Sequence, residues 1–348
     1  MKPHSNYLAD ILGASGRFKA LDGLRGLAVL AVVVYHFGTP FNTYYPSDET
    51  APYAFTLGEL GVQLFFIISG FVILMSAAHG KTAKGFVISR FTRLYPTYWF
   101  AVIFSAALIT WVGIEARQIN LVQVLINLTM FQRFVLVENV DQVYWTLAVE
   151  MQFYLLMLVC ILVSKGRLRN DYLMRLGLLW SSIGFALMAL YPGDSSTGIA
   201  KMVVWAVLAQ HAAFFCFGMA MYMYFNTRTF SWYIPFFATV AVANTYLAHG
   251  LAHALGVLVI VVLFFAVVQF RNVAVLDRGP LQFLGRISYS LYLFHTILGF
   301  IIIHLTQNYL GLWGSRLLSL AVVVTVSYVS YIFLERKISM KIKLFLQR

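Results

Sequence analysis

The chain is a succession of apolar stretches with its charges confined between them. Ten runs are long enough to cross a bilayer: about 24–40, 61–78, 94–112, 143–164, 173–191, 202–225, 231–248, 251–270, 285–305 and 313–334. A membrane helix needs about 17–25 such residues, since a hydrocarbon core of ~30 Å is climbed at ~1.5 Å per residue. Of the 348 residues, 61% are hydrophobic and only 11% charged, whereas soluble domains carry about 25% charged residues. The mean hydropathy of +0.79 points the same way. The expected fold class is therefore all-α: a polytopic membrane protein of about ten transmembrane helices. The segment 119–135, interrupted by Asn and Gln, is expected as an external interfacial helix. The first apolar run passes into GTPFNTYYPS with no small-x-small cleavage site, so it reads as a retained helix.

Charge sets the expected orientation. With the N-terminus inside, 21 of the 25 Lys and Arg residues fall on the inner side. Only Arg117, Arg133, Lys201 and Arg316 fall outside. The positive-inside rule then places both termini in the cytoplasm. It also accounts for the net charge of +12 without a nucleic-acid partner. Residues 1–20 are expected as a mobile cytoplasmic N-terminus, 21–336 as one ten-helix membrane domain, and 337–348 as a basic cytoplasmic tail. Cys160 and Cys216 both lie in apolar runs and form neither a disulfide framework nor a metal cluster.

Titratable groups inside apolar runs are costly and mark functional sites by default. Arg25 and His36 stand eleven residues apart. At ~100° per residue that separation is ~20° from three full turns, so they share a helix face ~16 Å apart. His36, Glu150 and His295 are expected at similar depth near mid-membrane, with Ser69-Gly70 close by and His211 a weaker candidate. Glu150 is the only acidic residue inside any of the ten runs. A buried imidazole can take a proton from a hydroxyl, and a carboxylate beside it can hold its tautomer. Asp22 reads as a cap for the first helix. In SRFTRLYP, Arg90 and Arg93 are spaced i, i+3 and share a face if helical. With Arg25 they suit a cytoplasmic anion site. Gly70 permits either close helix approach or a ligand beside the backbone. No GxxxxGK[ST] or GxGxxG pattern occurs.

Five motifs in order resemble the acyltransferase 3 family of membrane proteins. They are ALDGLRGLAVLAVVVYHF with its R-x10-H spacing, GVQLFFIISGFVI, RFTRLYPTYW, YWTLAVEMQFYLL and GRISYSLYLFHTIL. The resemblance runs from about residue 18 to 336. It implies a ten-helix enzyme of the bacterial inner membrane that moves an acyl group, commonly acetyl from acetyl-CoA, to a hydroxyl. Acceptors in such a family include sugars of lipopolysaccharide, exopolysaccharide or peptidoglycan, oligosaccharide signals and small metabolites. By position, His36 matches the essential histidine, Arg25 its paired arginine, Arg90 and Arg93 the RxxR pair, and Glu150 the acidic residue of the fourth motif. Some relatives carry a fused SGNH hydrolase-like domain. No such segment is present in these 348 residues, so direct acylation or hand-over to a separate polysaccharide-assembly protein is expected.

The mechanism expected from residues and resemblance together places acyl-CoA phosphates at Arg25, Arg90 and Arg93. His36 is the general base, Glu150 its orienter, and Ser69 or Tyr292 an oxyanion donor, with Tyr292 and His295 near the substrate. The acceptor is a glycan or lipid-linked sugar, with membrane lipids around it and no metal. Transfer can be direct or through an acyl-enzyme. The competing class is a proton-coupled transporter or flippase of a lipid-linked sugar, which suits buried His and Glu equally well. Broken helices in two related halves would mark it, and no internal repeat is visible.

Overall fold

The structure, a computed structural model, describes residues 18–45, 55–78, 82–113, 118–166, 168–193, 195–271 and 273–347. The expected mobile N-terminus lies outside the described residues as far as position 17. Every regular element among the described residues is helical. The helices are α1 (Lys19–His36), α2 (Thr39–Tyr44), α3 (Gly61–Ala78), α4 (Ala83–Val112), α5 (Leu121–Asn127), α6 (Trp145–Val163) and α7 (Asn170–Leu190). They continue with α8 (Gly198–Ala206), α9 (Ala212–Thr227), α10 (Tyr233–His249), α11 (Leu251–Phe270), α12 (Gly279–Phe294), α13 (Ile297–Ser330) and α14 (Ser339–Leu346). A π-helix, Tyr331–Ile338, joins the last two.

Among the described residues six stretches are long and apolar enough to cross a membrane: Thr56–Ala77, Ala83–Val112, Gln142–Val163, Asn170–Leu190, Leu251–Phe270 and Ile297–Leu346. The chain is a helical membrane protein. The other expected runs differ for physical reasons. Helix α1 carries Lys19, Asp22 and Arg25 in its first two turns. Helix α10 follows the expected run 231–248 and, at 17 residues, sits at the lower limit of a spanning length. Run 202–225 is broken into α8 and α9, with Leu208 at φ 53°. Run 285–305 is broken at His295–Thr296, between α12 and α13.

Helix α13 is itself a hairpin. Gly311 adopts φ 64° and ψ 172°, a conformation open to a residue without Cβ. Ser319 Oγ donates to the Gly299 carbonyl at 2.9 Å. Twenty residues of straight helix would hold those two ~30 Å apart. The two arms therefore fold back on each other at Gly311.

The chain divides into two compact units. The first comprises residues 1–31, 60–74 and 174–288. In it α3 and α9 cross backbone to backbone. A Cβ on Gly70 would collide with the Phe215 carbonyl, and one on Gly218 with the Ile67 carbonyl. Of the two roles open to Gly70 from sequence, close helix approach is the one seen. Phe71 packs among Phe18, Tyr222, Phe225 and Phe264. Carbonyls left over at the α8/α9 break find side-chain donors. Trp180 Nε1 bonds Val207 O at 2.5 Å, and Asn244 Nδ2 bonds Ala209 O at 3.0 Å. Unsatisfied groups would be costly in an apolar surrounding. Gly218→Ala is expected to destabilise the fold by about 1–3 kcal/mol through overpacking. A lower Tm of the purified protein in detergent checks this, and an unchanged Tm would contradict so close a crossing.

The second unit comprises residues 32–59, 75–173 and 289–348. Within segment 119–135 the helical part is short and exposes Leu121, Val122 and Leu125. The segment gives the seven-residue α5, then a loop that turns back beside α4. Trp99 Nε1 donates to Leu128 O at 2.9 Å and Tyr95 Oη to Thr129 O at 3.0 Å. Trp99 lies thirteen residues before the end of α4, or ~20 Å along its axis. Asn127 ties the loop together: it donates to Gln123 O and Glu138 O at 2.9 Å each, and its Oδ1 accepts from Val140 N at 3.0 Å. Met130, Val140 and Asp141 are fully buried. Irregular backbone is tolerated at such depth only inside protein or against a cavity.

Candidate active site

Two stretches of the second unit, residues 32–36 and 289–296, meet at one pair of rings. Helix α1 ends at His36. The imidazole thus sits at a helix terminus rather than deep within a span running to residue 40, as expected from sequence. His295 occupies the break between α12 and α13 and is fully buried. The rings meet edge to face with centroids 4.8 Å apart, and His36 Nδ1 lies 3.2 Å from His295 Nε2.

The bonds around this pair define its protons. A carbonyl oxygen only accepts. His36 Nδ1 is 2.8 Å from Val32 O, and His295 Nδ1 is 2.8 Å from Tyr292 O. Both Nδ1 atoms therefore carry hydrogen. His295 Nε2 then holds a lone pair and accepts a second branch of the His36 Nδ1–H. The nitrogen left as a base is His36 Nε2. From sequence the orienting role went to Glu150. In the structure the bonds on the His36 ring come from Val32 and His295.

Glu150 belongs to a different group. Tyr154 Oη donates to its carboxylate at 2.5 Å. Arg90 lies 5.7 Å from the Tyr154 ring and 5.9 Å from the Phe86 ring, and feels the charges of Arg93 and Glu150. Arg90 is buried, and its Nη2 donates to Ser76 Oγ at 3.2 Å. Arg93 is exposed. The RxxR pair thus divides into a cation packed between rings and a cation open to a ligand. Tyr289 Oη donates to Leu94 O at 2.8 Å beside this group.

The remaining candidates are placed as follows. Arg25 pairs with Asp22 at 3.6 Å, so Asp22 is an ion-pair partner one turn into α1 rather than its cap. Ser69 is buried in α3 of the first unit. His211 immediately precedes α9, with its ring 5.1 Å from that of Phe66. The Tyr292 hydroxyl is engaged by Thr146 Oγ1 at 2.8 Å and by Val143 O at 3.2 Å. Cys216 Sγ reaches Gly177 O at 3.8 Å. Among the described residues no group of three His, Cys, Asp or Glu could hold a metal ion.

Two acidic residues escaped the sequence reading. Asp141 lies outside all ten apolar runs, yet it is buried against Thr296. Glu335 lay one residue past the last apolar run, and it accepts from Ser290 Oγ at 2.5 Å within the π-helix. Such π segments concentrate at functional sites, but no sequence signal announces this one.

A helical membrane protein with buried imidazoles and a paired arginine motif is the class these features define. The chain belongs to the acyltransferase domain family Acyl_transf_3, which matches residues 18–335. It is 38% identical over 98 residues to Protein 2 in picA locus of Rhizobium radiobacter, covering 26% of this chain and 45% of that protein. It is 26% identical over 362 residues to the peptidoglycan O-acetyltransferase OatA of Listeria monocytogenes, covering 92% of this chain and 55% of that protein. It is 30% identical over 149 residues to the acyltransferase MdmB of Streptomyces mycarofaciens, covering 40% and 38%. The chain spans about half the length, or less, of these curated relatives. No solved structure matches.

Proposed function

We propose that the chain transfers an acyl group, acetyl from acetyl-CoA, to a hydroxyl of a cell-surface or exported glycan, with His36 Nε2 as the general base. The observation that carries this reading is the hydrogen-bonded histidine pair, which leaves one imidazole nitrogen unprotonated. Family membership supports an enzyme over the transport alternative, although both helix breaks would suit either class. The peptidoglycan O-acetyltransferase named among the relatives supports a glycan acceptor.

The acceptor hydroxyl gives its proton to His36 Nε2 while its oxygen attacks the thioester carbonyl. The resulting imidazolium keeps its Nδ1–H between Val32 O and His295 Nε2, two acceptors that stabilise the cation. Collapse of the tetrahedral species breaks the C–S bond, and the CoA thiolate takes the proton back from Nε2. Donor phosphates bind at Arg93, with the charge of Arg90 packed behind it. Arg25, eleven residues before His36 in the R-x10-H motif, is assigned to the donor by that motif. Glu150 supports the arginines through Tyr154. The setting is a bacterial inner membrane, with about ten helices and both termini cytoplasmic.

Acetyl-CoA turnover by the full chain in nanodiscs, with muropeptides as acceptor, tests the reading. Arg93→Ala is expected to raise KM for acetyl-CoA about tenfold or more at nearly constant kcat, since a charge-assisted hydrogen bond contributes ~1.5–3 kcal/mol. Folded wild-type protein that neither binds nor consumes acetyl-CoA would overturn the proposal.

A further inference from the structure

The His295–Thr296 break has no glycine or proline to cause it, so something else must hold it. The turn before α6 does so on both sides of His295. Asp141 is fully buried, and its Oδ2 accepts from Thr296 Oγ1. Its Oδ1 accepts from Val143 N at 3.3 Å, which fixes the carboxylate to the turn Gln142–Tyr144. Three residues before His295's neighbour Phe294 comes Leu291, and next to it Tyr292, whose hydroxyl donates to Val143 O at 3.2 Å and accepts from Thr146 Oγ1 at 2.8 Å. The Tyr292 carbonyl in turn accepts from His295 Nδ1. Residues 141–146 therefore grip positions 292 and 296 and leave His295 between them.

A buried carboxylate is expensive unless it is strongly bonded. A hydroxyl donating to a carboxylate is among the stronger hydrogen bonds. An apolar contact would close the same gap between α6 and α12 with less desolvation. What a carboxylate adds is direction: it fixes Thr296, and with it the backbone that aims the adjacent imidazole. We propose that Asp141 is a positioning residue of the acyl-transfer site, acting through Thr296 to hold His295 Nε2 on His36 Nδ1. This rests on the reading of His36 as base given above.

The test uses the full chain in nanodiscs with acetyl-CoA and muropeptides. Thr296→Val keeps shape and removes the donor; Thr296→Ser restores it; Asp141→Asn removes the charge. Thr296→Val and Asp141→Asn are expected to lower kcat about 10–100-fold with KM for acetyl-CoA within about twofold, as misplacement of a catalytic group predicts. Thr296→Ser is expected to recover kcat to within a few-fold. A second readout needs no turnover: carbethoxylation of His295 by diethyl pyrocarbonate, followed by peptide mass spectrometry. His295 is expected to be protected in wild type and Thr296→Ser, and modified in Thr296→Val and Asp141→Asn at unchanged size-exclusion profile. Wild-type kcat with His295 still protected in folded Thr296→Val overturns the proposal. If Thr296→Val does not fold, the same two results on Asp141→Asn decide. If wild type fails to turn over acetyl-CoA, the functional reading falls, and the labelling contrast alone still upholds or sinks the role of Asp141 in holding His295.

Discussion

His36→Gln is expected to lower kcat for acetyl transfer by about 10²–10⁴-fold, the range associated with loss of a positioned general base. Acetyl-CoA binding, measured by calorimetry, is expected to stay within about twofold, because the donor's phosphates are assigned to the arginines. His295→Leu is expected to cost less, about 10–100-fold. It removes one of two acceptors on His36 Nδ1 and leaves Val32 O in place. The ranking matters more than either number. If His295→Leu proves the more damaging substitution, the proton belongs on the other ring and His295 is the base. If both variants retain wild-type turnover, the pair is structural and the reaction uses another group.

Much of the helical architecture was legible because membrane-length apolar runs allow the backbone few alternatives. In the first unit the pattern foretold the helix that holds Gly70 but not its role, which only the crossing of α3 and α9 decides. The family motifs also named His36, Arg25, Arg90, Arg93 and Glu150 as the residues to place, and position inside an apolar run named His295. Their partnerships were not legible. Hydropathy counts residues along a run and is blind to a break inside it. LYLFHTIL reads as unbroken helix, yet His295 and Thr296 leave it, because their side chains find the Tyr292 carbonyl and the Asp141 carboxylate. Both acceptors depend on tertiary placement. Likewise the polar residues that interrupt 119–135 give no hint in sequence of what they bind. The structure satisfies Asn127 internally, through Gln123, Glu138 and Val140.

Both breaks follow one physical pattern. At α8/α9 the side chains of Trp180 and Asn244 reach Val207 and Ala209 carbonyls. At α12/α13 the donors are His295 and Thr296 themselves. The first arrangement satisfies backbone carbonyls. The second also sets an imidazole against a second imidazole, and that contact is why the proposed chemistry is assigned to the second break.

Glu150→Gln separates the two roles that this carboxylate has been given. If Glu150 supports the arginine site through Tyr154 and Arg90, its neutralisation leaves Arg90 buried between two rings with less opposing charge. The expected outcome is a KM for acetyl-CoA raised about tenfold or more, with a Tm lowered by the loss of a charge-assisted bond contributing ~1.5–3 kcal/mol. At saturating donor, kcat is expected to stay within about threefold of wild type, because the His36 ring keeps its bonds to Val32 and His295. The opposite pattern, kcat reduced by orders of magnitude at constant KM, would return Glu150 to the histidine as its orienter. Paired with Arg90→Lys the result sharpens further. Lysine retains the charge but loses the planar fork that packs against Phe86 and Tyr154, so it is expected to reproduce the KM effect. A double variant that is no worse than either single change would show that Glu150 and Arg90 act as one unit.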